Sequence, residues 1–207
     1  MKNQAINTHN SLSALNAEKI KILFQFSLML CISFVGGIMF SNLFSEHLYN
    51  NALHKITAHF NYSYSILSND LNIVFSYLKF CIWDILCVFI IFAFSFSFVN
   101  YVISDLILVA NGFKLGISLS VIWKLTFVRI GFINCLLYVA YNLVLLPLLL
   151  IYTYKMAVNS ISLKKVSNVG RIIVNRSVFI KMMISSLSFL GLVFIIDGIY
   201  FLLIYIL

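Results

Sequence analysis

ILFQFSLMLCISFVGGIMFSNLFS, residues 22–45, carries no charged side chain. A helix rises about 1.5 Å per residue, and a bilayer core about 30 Å thick takes about 20 apolar residues. The stretch is therefore long enough to cross a membrane as one helix. Its apolar part is too long for a signal peptide and no A-x-A-type site follows, so it reads as an uncleaved anchor.

Working outward, the chain from about Ile73 to Trp123 stays apolar for some fifty residues, too many for one helix. The best break is SFSFVNYVIS, residues 95–104, where serines and Asn100 interrupt just before Asp105. This predicts spans near 22–44, 74–97 and 102–123. Trp123, Lys124 and Arg129 have the composition of an interfacial turn. Residues 130–154 are again free of charge and form a fourth span. Pro147 lies inside it and predicts a kink near Leu143–Pro147, because proline removes a helix hydrogen bond. Residues 182–207 form a fifth span, interrupted by Asp197. The expected fold is all-α: a polytopic transmembrane bundle of about five helices, with 1–21 a tail and 22–207 one transmembrane domain.

Composition agrees. The 207 residues are 62% hydrophobic and 10% charged, against roughly 45–50% and about 25% for soluble domains. Net charge is +8, but cytoplasmic loops collect Lys and Arg, so the excess points to a membrane surface and not to nucleic acid. The tail 1–21 and the basic loop 155–181 together hold nine Lys and Arg, against four in segments on the other side. That predicts a cytoplasmic N-terminus and, with five spans, an outside C-terminus. Lys124 and Arg129 run against the rule locally, leaving a re-entrant segment near 118–135 as an alternative. The outer polar segment 46–72 spaces Tyr49, Leu53, Ile56 and Phe60 along one helical face, as a surface-lying helix would.

Four ionisable groups fall at apparent membrane depth: Asp84, Asp105, Lys114 and Asp197. A charge at the bilayer centre costs about 2.5–3.5 kcal/mol on insertion scales, so each needs a partner, water or a neutral state. Asp197 has fifteen uncharged residues before it and ten after. It either contacts another helix, a partner subunit or a solvated cavity, or sits as a neutral carboxyl against a backbone carbonyl. Asp105 and Lys114 are two and a half turns apart and cannot pair within one helix. Lys114 snorkels or meets an acid elsewhere; Asp84, with Lys79, is expected near the membrane surface in a structural role. Gly112 and Gly116 make a G-x-x-x-G step that lets helix backbones approach. Gly36-Gly37 is either a second close-packing site or unremarkable.

Cys31, Cys81, Cys87 and Cys135 lie in apolar runs without C-x-x-C spacing and read as small core fillers. His47, His54 and His59 lack the i, i+4 spacing of a helical metal pair. With no phosphate loop, nucleophile elbow or paired carboxylates at usable spacing, no enzyme, cofactor or metal is expected.

FSYLKFCIW (75–83), LILVANGFKLGISLSVIW (106–123) and AYNLVLLPLLLIYTYKMAVNSIS (140–162) resemble the stage II sporulation protein M family of bacterial membrane proteins. In that family an NG-x-x-x-G-like step opens the middle of the third span, a proline lies in the fourth, and an acid in the last. Asn111, Gly112 and Gly116, then Pro147, then Asp197 take those places here. Many members carry Glu where this chain has Asp197, which marks it as diverged. The resemblance implies a multi-pass bacterial cell-membrane protein that acts as a non-enzymatic scaffold with wall-degrading partners during forespore engulfment. It also implies an alternative: the membrane subunit of an ATP-driven exporter or bacteriocin self-immunity system. An ATPase partner would then meet Lys164, Lys165, Arg171 and Arg176 of the basic loop.

Overall fold

The computed structural model describes residues 2–43, 73–97, 99–124, 132–165 and 176–206. The segment 46–72 with its three histidines, and Arg129 and Arg171, lie outside the described residues. Every described element is an α-helix: α1 (Lys2–Ser41), α2 (Ile73–Phe94), α3 (Asn100–Lys124), α4 (Phe132–Lys165) and α5 (Arg176–Ile206). In lipid each backbone N–H and C=O has to be bonded internally, and a helix does this within one segment. Four of the helices are long and apolar enough to cross a membrane; α2 has a shorter apolar stretch, Cys81–Phe94.

Cross-helix contacts fix the direction of each helix. Gln25 on α1 reaches Asp105 on α3, and further along Ser41 reaches Ser120. Sequence number rises together on both helices, so α1 and α3 are parallel. The chain must therefore return between them, and α2 makes that return. The Phe96 ring, just past its end, meets Phe179 of α5, while Tyr77 near its start meets Phe201. The two helices thus run antiparallel beside each other for roughly 30 Å, a full bilayer core. Tyr141 near Tyr200, and Tyr152 near Phe189, make α4 antiparallel to α5 as well. The bundle therefore alternates direction at every helix. One end gathers Lys19, Lys21, Lys155, Arg176 and Lys181.

The turn between α2 and α3 is short. Ser95 and Ser97 donate backbone N–H groups to the Phe92 and Phe94 carbonyls, and the Ser97 hydroxyl accepts from the Val99 N–H. Serine suits this position because its side chain replaces a missing helical partner. The helix borders differ from the sequence expectation most at the basic end. α1 continues through the tail expected at 1–21, α4 runs on to Lys165, and α5 starts at Arg176. Residues 155–165 and 176–181 of the expected loop are therefore helical. Polar residues near a membrane surface extend a helix as readily as apolar ones, so the end of apolarity marks the lipid border and not the helix end. α4 also continues as helix through Pro147, whose side chain is exposed.

Candidate functional site

Gly37, Gly112 and Gly116 are where α1 and α3 touch. A Cβ on Gly116 would strike the Phe34 carbonyl oxygen and come within 3.0 Å of the Ile38 nitrogen and 3.1 Å of the Gly37 Cα. One on Gly37 would strike the Phe113 carbonyl oxygen, and one on Gly112 the Ser33 hydroxyl, with the Leu30 oxygen at 2.9 Å. These are mostly backbone atoms, which have nowhere to move. Small residues recur every fourth position on both helices: Ser33, Gly37 and Ser41 facing Gly112, Gly116 and Ser120. The Ser41 and Ser120 hydroxyls close the seam with a 2.5 Å hydrogen bond. Gly36, one residue from Gly37, has nothing within 4 Å of its Cβ position.

The other half of the bundle is held by polar groups. The Tyr141 hydroxyl on α4 lies 2.8 Å from Asp197 Oδ1 on α5 and 3.2 Å from Asp84 Oδ2 on α2. Asp197 is fully buried, and its Oδ2 has no hydrogen-bond partner among the described residues. The Cys81 thiol, one turn before Asp84, also bears on the Asp197 carboxyl. Tyr77 donates to the Phe194 carbonyl, and the Tyr200 ring stacks on Tyr141 at 4.5 Å. Asp197 is sixteen residues beyond Lys181, roughly 24 Å along the helix, which puts the cluster deep on the side away from the basic end. A phenol has one proton, so two carboxyls bonded to it at once need a second proton between them. One shared proton lowers the buried charge, which would otherwise be costly to desolvate.

The remaining expected residues fall around these two sites. Asn111, 7% exposed, accepts from Trp83 Nε1 at 3.2 Å and donates to the Ile107 carbonyl at 2.9 Å. Asp105 accepts from Gln25 of α1 at 2.8 Å and not from Lys114, which shares its helix. Lys114 is exposed, and its charge acts on Asp84 and Cys87. Asp84, expected near the surface, instead shares a hydroxyl with Asp197. Lys164 and Lys165 end α4 and Arg176 opens α5, away from both sites. Among the described residues no three His, Cys, Asp or Glu side chains converge on a metal position.

Tyr141 and Tyr77 have no counterpart in the sequence expectations, and Cys81, expected as a core filler, also bears on the acids. Their signal is spacing: Tyr77, Cys81 and Asp84 lie at i, i+4 and i+7 on one face of α2, and Asp197 and Tyr200 at i and i+3 on α5. No family model matches the chain, and no curated protein or solved structure matches it either.

Proposed function

We propose that this chain is a non-enzymatic integral membrane scaffold that holds partner proteins in place, the complex being one that remodels peptidoglycan during forespore engulfment. One observation carries the scaffold reading: the acids at membrane depth are used to join helices. Asp84, Asp197 and Tyr141 tie α2, α4 and α5, while Gln25 and Asp105 tie α1 to α3. Groups committed in this way stiffen a body and leave recognition to its ends. The wall-remodelling role rests on the sequence resemblance. The basic end faces the cytoplasm under the positive-inside rule, so the C-terminus lies outside.

A second reading, the membrane subunit of an ATP-driven exporter or immunity system, draws on α4. Its 34 residues measure roughly 51 Å, well beyond a bilayer core, so Lys164 and Lys165 stand clear of the lipid where an ATPase could grip them. Affinity purification of the tagged full chain from sporulating cells in mild detergent separates the two. The scaffold reading expects a wall hydrolase to co-purify. Recovery of an ATPase, lost on neutralising Lys164, Lys165 and Arg171, replaces it with the second reading. Recovery of the chain alone contradicts both.

A further inference from the structure

Between α4 and α5, nearer the basic end than the acid pair, runs an open groove of about 540 Å³. Leu148, Ile151 and Leu192 line its deep part. The stacked rings of Tyr152 and Phe189, 4.5 Å apart, also line it. Toward the basic end the lining becomes Lys155, Ser185 and Ser188, and then Asn159 and Lys181, with no acidic residue among them. Along each helix the groove covers twelve residues, Leu148 to Asn159 and Leu192 to Lys181. That is roughly 16 Å, about the thickness of one leaflet's hydrocarbon.

We propose that this groove is a binding site for one anionic phospholipid of the leaflet at the basic end. The occupant follows from the make-up of the lining: an apolar floor for part of an acyl chain, hydroxyl and amide donors beside it, and two ammonium groups toward the basic end. A free phosphate would use only the last of these. A zwitterionic lipid would bring its own cation toward Lys155 and Lys181. Basic pockets between helices are a recurrent way of holding anionic headgroups. The site is independent of the scaffold reading, since it depends only on the bundle lying in a bilayer.

The test is native mass spectrometry of the full chain released from nanodiscs containing equal phosphatidylglycerol and phosphatidylcholine. One retained phosphatidylglycerol per chain is expected. Lys155→Gln with Lys181→Gln should cut its preference over phosphatidylcholine about 5-fold per lysine, roughly 25-fold together. Lys155→Arg with Lys181→Arg should keep it. Lys19→Gln with Lys21→Gln, the same charge change at the same end but outside the groove, should leave it unchanged. Glycerol phosphate in excess should not displace the lipid. Equal loss from both Gln pairs would reduce the effect to general surface charge and overturn the site, as would preferential retention of phosphatidylcholine or displacement by glycerol phosphate.

Discussion

The α1–α3 seam and the α2–α4–α5 cluster solve one problem by opposite means. Lipid tails are as apolar as leucine, so burying leucine between helices brings little gain in a membrane. The seam holds by close approach: glycines at 37, 112 and 116 bring backbones into van der Waals contact, and a hydroxyl pair finishes the join. The cluster holds by hydrogen bonds, with one tyrosine hydroxyl reaching carboxyls on two other helices. The first arrangement tolerates no added atom. The second tolerates shape changes and depends on protons and polarity. Sterics should therefore dominate the response of one half, and polarity that of the other.

The largest effect is expected at the seam. Gly116→Leu should prevent α1 from docking and cost more than about 4 kcal/mol, leaving no monodisperse protein in detergent. Gly36→Leu, whose Cβ position is open, should purify like the parent. If both behave alike, the two glycines are not distinguished by packing. Next, Gly37→Ala or Gly112→Ala should each cost about 1–3 kcal/mol as overpacking, read from unfolding in mixed micelles. Gly36→Ala and Gly191→Ala, with nothing within 4 Å, should stay within about 0.5 kcal/mol.

The cluster should respond more mildly. Tyr141→Phe keeps the ring that stacks on Tyr200 and removes only the shared hydroxyl. A loss of about 1 kcal/mol is expected, as for other hydrogen bonds between membrane helices. A double-mutant cycle with Asp197→Asn should give a coupling of about 0.6–1.7 kcal/mol. Additive losses would mean that the hydroxyl and the carboxyl do not act together. The smallest effect among the changes that touch the seam or the cluster, about 0.6 kcal/mol, is expected for Ser41→Ala, since the glycines on the same seam remain.

The helices were legible in the sequence because charge is missing over lengths that match a bilayer, and Gly112 with Gly116 stood out by spacing. Their partner was not. Gly36 and Gly37 look alike in one dimension, and only the neighbouring helix makes Gly37 tight and Gly36 open. The acid cluster was hidden for a related reason. Along α5 the inward residues Met182, Ser186, Phe189, Val193, Asp197 and Tyr200 repeat at helical spacing, but the lipid-facing residues between them are just as apolar. Amphipathic contrast, which marks the inner face of a soluble helix, is therefore absent. What marks it here is the placement of small and polar residues. Asp197 was conspicuous as a charge, whereas Tyr141 resembled any interfacial tyrosine until the fold brought it between two carboxyls.

The parallel, glycine-packed pairing of α1 with α3 is the central claim, because it sets the alternation of all five helices. It can be tested by cross-linking in native membranes, with Cys31, Cys81, Cys87 and Cys135 all replaced by alanine. Ser41→Cys with Ser120→Cys, whose hydroxyl oxygens are 2.5 Å apart, should form an intramolecular disulfide under mild oxidation. Ser41→Cys with Ser104→Cys, near the other end of α3, should not. A disulfide to position 104 in preference to 120 would mean that α1 and α3 are antiparallel, and the account of the bundle would fail.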